Sequence, residues 1–385
     1  MRSARAGDAR TRRRRGRRAL NNHDNLTRIE SRNMLTNNRI SVEVHNEWDP
    51  LEEVIVGSAK FAQLPYLDHG MNAIEPGTRH ILASPQDRRF PARVIEETEE
   101  DLERFIEILD RLGIVVQRPK PIDFPGLVRT PFWESEYYFP YCPRDVLLAI
   151  GDTVIESPNP FRSRYFESMA YRDIIVGYLK HGSRWLSAPK PSLRDELYET
   201  SNPAQPTLRE IEPAFDAANV LRLGRDIVYL VSSTGNELGA RWLQSALGPE
   251  YRVHPCRDLY CGSHIDTTLA PIRPGLVLIN PERVNRDNLP APLRGWEIIE
   301  APEMEVVRYS DLAPSASIWL GINLLMLSPH LAVVDADQTR LIRLLERHRV
   351  EVIPLRLRHG RTLGGGFHCV TLDVRRRGKL ESYCE

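Results

Sequence analysis

The chain has 385 residues, 41% hydrophobic and 27% charged, and carries no net charge at pH 7. That is an ordinary soluble globular composition, enough for one large domain or two medium ones. The longest apolar runs, residues 146–150 and 324–327, are too short to cross a bilayer, and the N-terminus shows no secretory apolar core.

The five cysteines, Cys142, Cys256, Cys261, Cys369 and Cys384, are odd in number and scattered. This argues against a disulfide framework and for a reducing, cytoplasmic setting. No CxxC pair exists, so a structural zinc site is not expected. The neutral total conceals an asymmetry: residues 1–18 hold nine Arg and one Asp, net +8, leaving −8 on the rest. A like-charge run without apolar periodicity reads as disordered, so residues 1–39 are expected to be an Arg-rich extension and 40–385 the catalytic domain. No aromatic or second basic cluster supports a nucleic-acid surface there.

Order is expected from about Ile40. "ISVEVHNEWDPLEEVIVG" alternates, turns at Asp49-Pro50 and runs into a short strand ending at Gly57. Residues 58–90, rich in Pro, Gly and Asp, read as loop. From Pro91, the spacing of Ile95, Thr98, Leu102, Phe105, Leu109 and Leu112 predicts a helix that Gly113 ends, and "IVVQRP" follows as a strand. The helix–strand phrase returns in "GNELGARWLQSALG" with "YRVHPC" and in "TRLIRLLERHR" with "VEVIPL". Between these lie the strand pair "VLLAIGDTVIES" and the strands "DIVYLVSS", "GLVLINPE" and "LAVVDAD". The alternation predicts a single repeating α/β domain. A dinucleotide-binding fold is disfavoured, because no GxGxxG follows a strand and "LGGGFH" leads into one.

Several clusters carry chemistry. In "GGGFHC", Cys369 follows glycines that permit close approach; a thiol becomes a nucleophile only as its thiolate. His368 adjoins it and, on a strand, would point to the opposite face, making it a poor general base. In "SHIDTT", His264 and Asp266 would share one face of an extended segment, suited to acid–base work beside a cation-binding carboxylate. Asp216 of "FDAA" sits in apolar company, where a carboxylate needs a partner. Asp145 of "YCPRD" precedes a strand, and Arg283 of "NPERV" follows one. Carboxylates bind a planar guanidinium in bidentate fashion, and a thiolate can attack its central carbon.

"EPAFDAANVLRLGRD", "SHIDTTLAPIRPGLVLINPERV" and "LGGGFHCVTLDVRRRG" closely resemble the arginine amidinotransferases, with further matches in "NEWDPLEEVIVG", "CPRDVLLAIGDTVIESP", "SRWLSAPKP" and "IWLGINLLML". The resemblance covers roughly residues 41–385. It implies the five-bladed α/β-propeller of guanidine-modifying enzymes, with the active site at the central axis. It implies Cys369 as nucleophile, His264 as acid/base and Asp216 as its orienting partner. Asp145 and Asp266 would grip the guanidinium, with Arg283 and Ser317 binding the rest of the donor. It implies small-molecule substrates, arginine and an amine, and no metal or organic cofactor, no nucleic acid and no membrane; a homodimer stays open. The resemblance is to the inosamine-phosphate branch, with Asn219, Ala316 and Gly321 where glycine-using enzymes carry other residues. These three are expected to shape an acceptor pocket for an inosamine phosphate or a long amino acid such as lysine, in antibiotic or toxin biosynthesis. The rival activity on this fold is an arginine deiminase, which delivers the same intermediate to water; a non-catalytic arginine-binding protein is disfavoured by the intact Asp216, His264 and Cys369.

Overall fold

In the computed structural model, which describes residues 42–82 and 88–383, one strand arrangement recurs five times. Its first strands are β1 (Leu51–Val56) and β2 (Val115–Gln117), parallel neighbours joined through the helix Ala92–Arg111. A small hairpin, β3 (Leu127–Arg129) and β4 (Glu134–Glu136), follows. Four three-stranded sheets come next: β5 (Leu147–Ile150), β6 (Thr153–Glu156) and β7 (Arg184–Ser187); β8 (Val220–Leu223), β9 (Asp226–Leu230) and β10 (Arg252–Cys256); β11 (Leu269–Arg273), β12 (Leu276–Ile279) and β13 (Glu297–Glu300); β14 (Leu325–Ser328), β15 (Leu331–Asp335) and β16 (Glu351–Leu355). In each, the first two strands are antiparallel and the third lies parallel to the second. The strand β17 (Thr371–Arg376) pairs antiparallel with β1, with Val56 opposite Thr371 and Val54 opposite Asp373. The sheet β17-β1-β2 is therefore a fifth copy of the same design, shared between the two ends of the described chain. It lies between two others, β17 against β5 and β1 against β14. The fold is a five-bladed α/β-propeller.

Local chemistry explains the blades. The antiparallel pairs β5–β6, β8–β9 and β11–β12 are joined by two residues that include Gly151, Gly224 and Gly275, all with positive φ (57°, 67° and 81°). Such left-handed turns match the twist of a tight hairpin. Parallel third strands need a crossover, and a helix supplies it in four blades: Ala92–Arg111, Arg172–Lys180, Glu237–Leu247 and Thr339–Arg347. Asn236 caps the third of these by accepting from Gly239 N at 2.9 Å, and Gly248 (φ 73°) stops it. The β12–β13 crossover has only a single 3-10 turn, Ala291–Leu293, because Pro290 and Pro292 exclude a longer helix.

The helix expected from Pro91 runs Ala92–Arg111 and buries Val94, Thr98, Leu102, Phe105 and Leu109. Ile95 is only half-buried and Leu112 is exposed, since Val94 takes the core-facing position at the first turn. Residues 58–90 are not simply loop. Asp68 caps a helical turn, His69–Ile74, through Met71 N (3.0 Å), and its other oxygen accepts from Ser163 N (2.8 Å). The Arg-rich stretch and Cys384 lie outside the described residues. Among the described residues no helix is long and apolar enough to cross a membrane.

Charge fills part of the centre. Asp373 of β17 accepts from Arg222 of β8 (2.8 Å to each oxygen), from Arg144 (2.7 Å) and from Arg376 (2.6 Å); Arg222 also binds Glu47 (2.7 Å). All five are buried. Burial alone would raise the acids, but the facing guanidinium groups outweigh it and hold both carboxyls far below the ordinary range. Breaking one partner of such a group strands an unpaired buried charge, so the blades that contribute it are tied to one register.

Candidate active site

Two of the three glycines before Cys369 do separate work. Gly364 adopts φ 85°, ending the short helix Gly360–Leu363. A Cβ on Gly366 would lie 2.6 Å from Asn323 Oδ1, so only glycine lets that amide in. Asn323 Oδ1 accepts from both His368 N and Cys369 N at 3.0 Å, and its Nδ2 donates to Cys369 Sγ at 3.1 Å. Residues 366–370 form a turn, closed by Val370 N to Gly366 O (2.9 Å), rather than a strand. This corrects the expectation that His368 and Cys369 point apart. Both reach Asp266 Oδ2, His368 Nδ1 at 3.0 Å and Cys369 Sγ at 3.2 Å.

His264 and Asp266 also lie in a turn, not an extended segment, and His264 has φ 61°. A side chain held in that region costs of order 1–3 kcal/mol, compensated by the surrounding contacts. His264 Nε2 stands 3.1 Å from Asp216 Oδ2. Asp216 itself caps the 3-10 turn Ala217–Asn219 through Ala218 N (3.0 Å) and accepts from Asn159 Nδ2 (3.1 Å). Asp145 Oδ2 binds Arg164 (2.5 Å), which Glu167 grips on its other side (2.7 and 3.0 Å).

One cavity of about 310 Å³ unites these groups. Its wall includes Asp145, His264, Asp266, Ser317 and Cys369. Asp145 Oδ1 and Asp266 Oδ1 are both buried without a hydrogen-bond partner among the described residues. Arg283 stands one layer back. It donates to Thr267 O (3.2 Å) and Thr267 Oγ1 (3.0 Å) and stacks 3.6 Å over Tyr260; both residues line the cavity. Of the three residues expected to shape an acceptor pocket, only Ala316 lines it. Asn219 is fully buried, bonded to Leu230 O, Ser232 Oγ and Thr234 Oγ1. Gly321 borders a neighbouring hollow, where a Cβ would meet Met304 Sδ at 2.4 Å. Neither Asn219 nor Gly321 touches the cavity.

The electrostatics favour a cation in the cavity. Burial opposes charge on His264, but Asp216 and Asp145 outweigh it and hold the imidazole well above its ordinary value. Asp266 is driven down to about 2, because His368 overcomes the effect of burial. Burial raises Asp145 despite Arg164. The Cys369 thiol is pushed well up by its neighbour Cys142, by burial and by the Asp266 charge. Cys142, raised to about 11 chiefly by burial, is itself a poor nucleophile. Donor atoms of Asp145, Asp216 and His264 lie within 4.8 Å of one another, a grouping able to hold a metal. Asp216 accepts from Asn159 and Ala218, while Asp145 Oδ1 and His264 Nε2, the latter 3.1 Å from Asp216 Oδ2, have no hydrogen-bond partner among the described residues.

Sequence reasoning missed Asn323, Arg164, Asn159 and the pair His368–Glu47 (3.4 Å). No local signal marks them, since each acts on a residue far away in the chain.

No family model matches the chain. Comparison with individual proteins is decisive. Over 347 residues, 89% of this chain and 99% of the relative, it is 54% identical to inosamine-phosphate amidinotransferase 1 of Streptomyces glaucescens. It is 39% identical to L-arginine:L-lysine amidinotransferase of Pseudomonas savastanoi pv. phaseolicola, over 88% of this chain and 95% of that one. The solved structure of an inosamine-phosphate amidinotransferase from Streptomyces griseus superposes with a TM-score of 0.86 at 53% identity, covering 90% of this chain and 100% of that one. These relatives are transferases, so the propeller whose cavity joins a cysteine, a histidine and two carboxylates is that of a group-transfer enzyme. The chain belongs to the amidinotransferase family.

Proposed function

We propose that the protein moves the amidino group of L-arginine to an amine acceptor through an S-amidino-Cys369 intermediate, releasing ornithine. The observation that carries this reading is the pair of buried, unpartnered oxygens, Asp145 Oδ1 and Asp266 Oδ1, beside the Cys369 thiol. A guanidinium supplies the missing donors at both positions and brings its carbon to the sulfur. Its positive charge also offsets the Asp266 carboxylate, which with Cys142 and burial keeps the thiol protonated, so the thiol proton leaves to solvent as arginine binds. The thiolate then attacks the guanidino carbon. The His264 imidazolium protonates the departing Nδ, the C–N bond breaks, and neutral ornithine leaves. The acceptor amine next gives a proton to neutral His264 and attacks the same carbon; the C–S bond breaks and the thiolate returns. Asp216 orients His264 and stabilises its cation, as the third member of a catalytic triad does. Arg283 and Ser317 hold the far end of the donor.

The acceptor we favour is an amino-cyclitol phosphate, in keeping with the relatives at 54% identity, in an antibiotic-type pathway. Lysine is the second reading, favoured by the relative at 39%. Enzyme and arginine are to be incubated with no acceptor, glycine, lysine or a phosphorylated inosamine, following ornithine and citrulline. Arginine alone is expected to give at most a single-turnover burst of ornithine, and the phosphorylated inosamine the fastest sustained release. Citrulline formed over many turnovers without an amine would show a hydrolase instead.

The electrostatics also set a pH profile. His264 must be protonated for the first half-reaction, and its raised value keeps it so well above pH 6.5. Activity is therefore lost on the alkaline side as His264 deprotonates. Asp216→Asn removes the strongest group raising it, so the alkaline limb of kcat/KM for arginine is expected to move to lower pH. An unmoved limb in that variant would detach Asp216 from His264.

A further inference from the structure

Among the described residues the cavity wall holds three carboxylates, Asp145, Asp266 and Glu75. The guanidinium takes the first two. Glu75 is left over, and its place is fixed. It closes the helical turn His69–Ile74: Glu75 N donates to Met71 O (2.7 Å), and Glu75 O accepts from Thr78 N (3.0 Å) and Thr78 Oγ1 (2.8 Å). Its side chain crosses to a loop 188 residues further along, where Ser263 Oγ donates to Glu75 Oε1 at 2.6 Å. A carboxylate offers about four acceptor positions, and this neutral hydroxyl fills one of them. Among the described residues no Lys, Arg or His pairs with Glu75.

The same loop carries the far end of the donor site. Ser263 lies between Tyr260, over which Arg283 stacks at 3.6 Å, and Thr267, whose Oγ1 accepts from Arg283 at 3.0 Å. Tyr260, Ser263 and Thr267 all line the cavity. One acidic and one basic side chain are thus fastened to a single stretch of wall, residues 260–267, as the two charged groups of an α-amino acid require. Arginine carries three charges. Its guanidinium goes to Asp145 and Asp266 and its α-carboxylate to Arg283. Its α-ammonium, with three N–H donors, still needs an anion.

We propose that Glu75 is the subsite for the α-ammonium of the donor amino acid; this rests on the reading above that the donor is arginine. The ammonium donates to the carboxylate in a charge-assisted bond, while Ser263 holds the carboxylate against the loop. The donor is then fixed at three separate points, and three points tell the L enantiomer from the D. The ammonium takes no part in the bond changes at the guanidino carbon, so its contact is alike in ground and transition states and acts on KM rather than kcat.

The test compares the full-length wild type with Glu75→Gln, which keeps an oxygen for Ser263 Oγ but loses the charge. The donors are L-arginine, D-arginine and 5-guanidinopentanoate, which is arginine without its α-amine. Hydroxylamine, an amine with no second cationic group, is the acceptor throughout. Glu75→Gln is expected to lower kcat/KM for L-arginine roughly 10–100-fold, the scale of a charged hydrogen-bonded contact, with the change falling in KM. It should leave kcat/KM for 5-guanidinopentanoate near wild type and narrow the preference for L- over D-arginine. An unchanged kcat/KM for L-arginine overturns the subsite. So does an equal loss with 5-guanidinopentanoate, or a displaced alkaline limb, either of which would make Glu75 a brace for Ser263 and the neighbouring His264. Wild-type enzyme that releases no ornithine from arginine with any amine refutes the underlying reading itself.

Discussion

Cys369→Ser is expected to lower ornithine release by more than roughly 10,000-fold, because a hydroxyl near neutral pH is a far weaker nucleophile than a thiolate. The fold should survive. Asn323 holds this turn chiefly through backbone N–H groups of His368 and Cys369, and those bonds do not depend on the sulfur. Mass spectrometry of the wild type with arginine alone should show a covalent amidino adduct on the peptide containing Cys369, absent from the variant. Substantial turnover by Cys369→Ser would remove the covalent mechanism.

The second large effect concerns the two unpartnered oxygens. Asp145→Asn and Asp266→Asn are each expected to cost about 2–4 kcal/mol of transition-state stabilisation, or roughly 30–1,000-fold in kcat/KM for arginine. The two variants differ in their side effects. Asp145→Asn leaves Arg164 bonded to Glu167, so the wall stays in place. Asp266→Asn also weakens the partner that His368 and Cys369 share, so it should alter the acidic limb of the pH profile as well as its height. Steady-state kinetics decide the matter: near-wild-type kcat/KM in both variants would mean that the guanidinium binds elsewhere.

Much of this site was legible in sequence because its motifs are long and local. Asp145, Asp216, His264, Asp266 and Cys369 each sit in a recognisable phrase, and the resemblance joined phrases that are far apart in the chain. What stayed hidden depends on backbone conformation or distant packing. Treating "FHCV" as strand sent His368 and Cys369 to opposite faces, whereas a turn closed on Gly366 O brings both to Asp266. Asn219 drew notice because glycine-using enzymes carry another residue there, but the 3-10 turn Ala217–Asn219 turns it into the interior. Asn323 and Arg164 carry no local signature of their role, as Cys369 and Asp145, the site residues they hold, lie 46 and 19 residues away. The repeating helix–strand phrase revealed three crossovers. The one at Arg172–Lys180 was missed, and the one before β13 was never a helix, for reasons its two prolines make plain.

The pairing of β17 with β1 has a consequence for the order in which reactivity is acquired. The turn bearing Cys369 leads directly into β17, and β17 can dock only on a strand made more than three hundred residues earlier. Closure over so long a separation is entropically costly and tends to come late in folding. Before it happens, Asp266 and Asn323 have no sulfur to hold, and the thiol has no ordered donor pocket around it. A partly synthesised or partly folded chain therefore possesses most of its blades but no working nucleophile. Chemistry switches on in the same event that joins the first blade to the last, so the amount of active enzyme counts only rings that have closed.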